Sequence, residues 1–142
     1  MMAAFYGLLT GLGIIFLTVL LVKYFSTKLM AATILCAIAF IYVGFSLQGN
    51  TVSYIILVVL VAALFYFLAL MGYTKSPALI GYGTLLHGVW DVFHHHGFII
   101  KASIPDYWPL YCLVTDLVTG IYFVMYFTRR KKEDQLNNVF LK

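Results

Sequence analysis

The sequence predicts an all-α integral membrane protein, a bundle of five transmembrane helices, with four as the shorter alternative. Three observations lead there. Of 142 residues, 63% are hydrophobic and only 10% are charged, a composition outside the range of soluble globular domains. The apolar residues gather in five runs, each near the ~20 residues that a helix needs to cross the hydrocarbon core. Short polar or turn-forming stretches separate the runs and so join antiparallel neighbours.

The first run, 3–22, has no basic residue ahead of it and ends in Lys23 and Lys28. A cleaved secretory signal carries its charge in front, so this run reads as a retained span with its N-terminus outside. Gly7 and Gly11 in "GLLTG" form a small-xxx-small pair, which allows close helix approach in lipid. It is equally the glycine content usual for membrane helices. The second run covers 29–47. The third covers 53–73; its stretch "YIILVVLVAALFYFLALM" has no polar group beyond tyrosine hydroxyl and reads as a lipid-facing wall. The fourth and fifth runs cover 77–100 and 107–127, and "QGNT", "TKSPA" and "KASIPD" are the later connectors.

Placing the N-terminus outside puts Lys23, Lys28, Lys75, Arg129, Arg130, Lys131, Lys132 and Lys142 on the cytoplasmic side and Lys101 alone on the other. That asymmetry supports five spans and a cytoplasmic C-terminus. The chain then divides into one transmembrane domain, 1–128, and a basic tail, 129–142, which reads as a frayed helix end at an anionic membrane surface. The net charge of +4 comes mostly from that topology signal, and no nucleic-acid partner is expected. Cys36 and Cys112 fall in apolar runs at different depths, so a disulfide between them is not expected.

The fourth run contains "HGVWDVFHHH", which holds all four histidines and one of the five acidic residues. On a helix, positions 87, 91 and 94 fall within about 60° of one another, with 95 at the edge and 96 on the far side. His87, Asp91 and His94 therefore share a face that His95 can join, and His96 reads as a solvated or interfacial side chain. In lipid such groups turn toward the bundle interior and find partners. Antiparallel packing of the fifth run, counted at ~1.5 Å per residue from a shared outer end, brings Asp116 level with Asp91 and within about a turn of His87 and His94, and Cys112 level with His95, with Gly83, Gly88 and Gly120 allowing close approach. Asp106 then stays near the outer surface, and Thr84, Thr115 and Thr119 supply hydroxyls to the same seam.

Three readings compete for this set. In the first, His87, Asp91, His94, His95 and Asp116 provide the ligands of a divalent metal, zinc first and iron or manganese next. Three protein ligands and an open position would activate water, and whichever of Asp91 and Asp116 is left over serves as general base. The second dispenses with metal: a buried His/Asp pair performs acid-base chemistry, as an isomerase does, or relays protons in a transporter. In either case the substrate is lipid-soluble, and Trp90, Tyr107, Trp108 and Cys112 shape its pocket, with an interfacial aromatic belt as the other role for Tyr107 and Trp108. The third is structural, a polar network fixing the helices. Interhelical hydrogen bonds in membranes average only ~0.6 kcal/mol, a small return for so many ionisable groups.

The residues "HGVWDVFHHH" and "IPDYWPLYCLVTD" resemble a family of small membrane proteins of four to five spans and unknown function, with an HGxWDxxHH pattern and a later aspartate. That resemblance covers the last two spans and implies only that His87, Asp91, His94, His95 and Asp116 belong together. The histidine run also resembles the boxes of membrane fatty-acid desaturases and hydroxylases. Those gather about eight histidines around two irons, more than this chain has, which favours a single metal. In chemistry, not in motif, the cluster is similar to sterol isomerases of the emopamil-binding type. The expected setting is a bacterial inner membrane or its equivalent, with membrane lipids around the chain and a homo-oligomer compatible with it. Polar groups concentrate toward the outer side of the membrane, with Thr33 and Ser46 as slight evidence of an inner half-path, which weighs against an alternating-access monomer.

Overall fold

The computed structural model describes residues 2–94 and 104–140, the side chains of 138–140 excepted. Five helices account for nearly all of them: α1 Met2–Leu21, α2 Thr27–Ser46, α3 Val52–Thr74, α4 Ala78–His94 and α5 Trp108–Phe140. Ser26 and Thr51 cap α2 and α3, their hydroxyls accepting from the amides of Leu29 and Tyr54 at 3.2 and 3.3 Å, which satisfies N–H groups that the helix itself cannot. Gly49, with φ +76°, turns the chain between α2 and α3 in a conformation that costs glycine little. Pro109 stands in the first turn of α5, where its missing N–H is harmless.

Four helices, α1, α2, α3 and α5, are long and apolar enough to cross a membrane. The described part of α4 has 17 residues and falls just short by length. The surface matches that reading. Phe16, Leu60 and Val52 are 64% or more exposed, whereas Thr18, Ser46, Thr84, His87, Asp91, His94, Thr115, Asp116 and Thr119 are all buried. Apolar groups outside and polar groups inside is the arrangement that lipid, not water, favours.

α5 is the axis of the bundle, with its largest interfaces against α4 and α1. Against α1 it runs parallel: Gly7 meets Tyr111 and Val114, and Gly11 meets Thr115 and Val118. A Cβ at Gly11 would stand 2.9 Å from that of Val118, so the small-xxx-small pair does set this approach. Against α4 it runs antiparallel, Gly81 on Val124 and Gly120 on Leu85. These glycines fix the register. Asp116 comes level with His87 and Gly88, almost a turn from the position reached by counting from the connector, because close approach is possible only where a glycine faces a bulky residue.

One other expectation needs correction. The third run is a lipid-facing wall on one side only, since Tyr54, Val58, Ala62, Phe65, Ala69 and Gly72 form a buried stripe against α2 and α4. Hydropathy could not reveal it, both faces being apolar. The helix of the fifth run continues through the basic tail to Phe140. Lys, Arg, Glu and Gln favour helix, and Glu133 and Asp134 stand one turn beyond Arg130, a favourable spacing for opposite charges.

The described basic residues gather at one end of the bundle. Lys28 lies over the Tyr73 ring at 4.6 Å, Arg130 over Tyr126 at 5.7 Å, and Thr27 donates to the Tyr126 hydroxyl at 3.2 Å. Helix starts and ends of α2, α3 and α5 thus meet there, and His87 and His94 lie away from it on α4.

Candidate functional site

The α4 face predicted from the helical period is the face that is buried. His87 and Asp91 stand one turn apart on it, and α5 brings Asp116 across the glycine-lined seam. The His87 Nδ1–H donates to Asp116 Oδ2 at 2.7 Å, and Asp91 Oδ2 is 3.7 Å from the same nitrogen. One potential ligand atom from each residue lies within 4.8 Å of the others, and none of the three residues is more than 1% exposed. Among the described residues, His87 Nε2 and Asp91 Oδ2 are buried without a hydrogen-bond partner, a cost that native interiors seldom carry without a use.

Two aromatic side chains from helices outside the predicted pair complete the surroundings. Tyr42 of α2 donates its hydroxyl to Asp91 Oδ1 at 2.7 Å, which fixes the carboxyl and turns Oδ2 toward His87. Phe65 of α3 sets its ring edge-on to His87 at 5.0 Å between centroids. Neither was singled out in the sequence. The available signal was the periodicity of their own helices: Leu35, Ala39, Tyr42 and Ser46 form a buried stripe on α2.

His94 has a different environment. Its Nδ1–H donates to the Trp90 carbonyl at 3.1 Å, which leaves Nε2 to accept from the Tyr54 hydroxyl at 3.2 Å. Both ring nitrogens are engaged, the ring packs on Tyr42 at 4.6 Å and on Trp90 at 4.7 Å, and His94 stands beside the His87 group, outside it. His95 and His96 lie outside the described residues.

The expected pocket residues divide. Trp90 packs inward on His94 and Tyr42, and Cys112 is buried one turn before Asp116. Trp108 packs on Phe45 at 5.2 Å, its Nε1 buried without a partner. Tyr107 is 59% exposed and Asp106 is exposed, as an interfacial position requires. Thr84, Thr115 and Thr119 are buried, but each hydroxyl is bonded to the carbonyl four residues earlier in its own helix, the usual local solution in a helix, and Thr115 faces α1, where it also reaches the Gly7 carbonyl at 3.1 Å. They are not part of the polar group.

Residues 2–130 match DUF6010, a family of unknown function, and the chain belongs to that family. The match extends over the whole bundle, α1 included. Comparison with curated proteins and with solved structures gives no match.

Proposed function

We propose that His87, Asp91 and Asp116 bind a divalent metal ion inside the membrane, and that the site supports a metal-assisted reaction on a lipid-soluble substrate. The observation that carries this reading is the buried donor set. One imidazole and two carboxyls each offer a ligand atom within 4.8 Å of the others, and the described lysines and arginines stand at the other end of the bundle. With both carboxyls ionised, a divalent cation would make the set neutral, which a low-dielectric interior favours.

The donor set is one nitrogen and carboxylate oxygens, suited to zinc, manganese or iron. Zinc remains the first choice, because three protein ligands leave a position open for substrate or water. A bound ion of this kind supplies Lewis acidity and an activated water. The chain's own part is clear from its contacts. Tyr42 holds Asp91 in one orientation, both carboxyls converge on His87 Nδ1, the atom that would take the ion in place of its hydrogen bond to Asp116, and Phe65 and the apolar stripe of α3 keep bulk water out. Such outer hydrogen bonds commonly matter about 10- to 100-fold in metal affinity.

The setting follows the same reasoning. Five passes, the N-terminus outside and the basic end at the cytoplasmic face, place the polar group in the outer half of the membrane, in agreement with the rule for positive charge. A bacterial inner membrane or its equivalent fits this arrangement.

One observation favours a second reading, a metal-free acid-base site. The Tyr42 to Asp91 and His87 to Asp116 distances, both 2.7 Å, are those of hydrogen bonds already formed, and a proton shared between the carboxyls balances the charge once His87 is protonated. Elemental analysis of the purified protein separates the two. The metal reading expects near-stoichiometric zinc, manganese or iron in the parent and little in His87→Ala or Asp116→Asn. Parent protein that stays metal-free after incubation with each ion refutes it and leaves the acid-base reading.

A further inference from the structure

At the basic end, the turn between α3 and α4 faces the outward extension of α5 across a cleft of about 520 Å³. Lys75, Arg130 and Lys131 line it, and Asp134 is the one carboxylate among its described lining residues. Ser76 adds a hydroxyl on the turn. Three cations against one anion, converging from two separate parts of the chain, form a local anion trap. The general positive charge of a membrane-proximal tail does not require such convergence.

The floor of the cleft is apolar. Phe127 and Ala78 close its inner side, and Tyr82, 53% exposed, leads out of it. Tyr82 is followed on the same face of α4 by Leu86 and Val89, each 49% exposed, so an unpartnered apolar stripe runs from the cleft along the outside of the bundle. The cleft lies where the apolar segments end: α3 finishes at Thr74, immediately before Lys75, and the apolar part of α5 ends near Phe127. An ion-sized anion has no use for the stripe. An amphiphile has.

We propose that this cleft binds the phosphate of an anionic phospholipid, with Lys75, Arg130 and Lys131 around the headgroup and an acyl chain lying along Tyr82, Leu86 and Val89. The first amides of α4 contribute little, since Leu79 and Ile80 already donate back to the Ser76 and Pro77 carbonyls. Recognition therefore rests on the side-chain cations. Basic pockets between helices at the cytoplasmic face are a recurrent way to hold anionic headgroups. The inference uses the membrane reading of the chain and is independent of the metal site.

The test is native mass spectrometry of the detergent-solubilised full chain titrated with dioleoyl phosphatidylglycerol or dioleoyl phosphatidylcholine. The parent is expected to retain the anionic lipid selectively. The triple variant Lys75→Gln/Arg130→Gln/Lys131→Gln should lose about a hundredfold in that affinity, at roughly five-fold per cation, and Asp134→Asn should bind more tightly than the parent. Arg129→Gln/Lys132→Gln removes charge from the same helix outside the cleft and should keep most of the selectivity. Equal retention of the two lipids, or equal losses in the two charge-removal sets, overturns the proposal. So does displacement of the lipid by millimolar inorganic phosphate, which would assign the cleft to free phosphate. If the triple variant does not elute as a folded species, Asp134→Asn alone decides: unchanged or weaker retention counts against the cleft.

Discussion

Both faces of α5 meet a neighbouring helix across glycines, yet the two seams differ in what they leave unsatisfied. Toward α1, Gly7 and Gly11 admit α5, and the Thr115 hydroxyl reaches either the Gly7 carbonyl at 3.1 Å or its own helix at Tyr111. The Tyr111 hydroxyl donates to Thr10 across the seam at 3.0 Å, so the described hydroxyls of this seam are satisfied. Toward α4, the glycines bring the Asp116 carboxyl against the His87 imidazole, and among the described residues His87 Nε2 and Asp91 Oδ2 remain without partners. The same contrast separates two histidines on one helix face, His94 with both nitrogens engaged and His87 with one open. Polar groups in a membrane interior are costly. Where they are satisfied they fix helices, and where they are left open they point to a ligand.

That comparison breaks most visibly at His87. His87→Ala should remove bound metal altogether, at least a hundredfold in affinity, while the protein still inserts and elutes as the parent does; full occupancy in the variant would place the ligands elsewhere. Tyr42→Phe comes next. It frees Asp91 from its orienting bond and should weaken metal binding about 10- to 100-fold, read by competition with a chelating dye, with the helical circular dichroism unchanged. A smaller effect, of another kind, belongs to the α1 seam. Gly11→Leu forces a side chain against Val118 and should cost about 1–3 kcal/mol of stability, measured by unfolding in mixed detergent, while the folded fraction keeps its metal. Tyr54→Phe should matter least. It removes one bond to His94, worth ~0.6 kcal/mol in a membrane, and metal affinity should move by less than about two-fold.

Much of this was legible in the sequence because two periodicities dominate it. Span length set the starts of all five helices and the ends of the first three to within a few residues, and the helical period placed His87, Asp91 and His94 on one buried face. Depth counting found Asp116 but put it opposite Asp91, because it assumed that register follows the connector; Gly81, Gly88 and Gly120 decide it instead. Tyr42 and Phe65 escaped notice for a simpler reason. In runs apolar on every side, a buried stripe leaves no contrast in hydropathy, and one tyrosine hydroxyl among the chain's 11 tyrosines carries no mark of its partner. His94 shared the face of His87 but not its chemistry, since a face fixes direction while the Trp90 carbonyl and Tyr54 hydroxyl fix what the ring can do.

The central claim is that the open histidine, and not the satisfied one, belongs to a metal site. Calorimetric titration of zinc into the chelator-stripped full chain, run in parallel on the parent, His87→Ala and His94→Ala, tests it most directly. The account predicts one site per chain in the parent, retained in His94→Ala and absent in His87→Ala. No heat of binding in the parent with zinc, manganese or iron, or equal loss in the two variants, would contradict it.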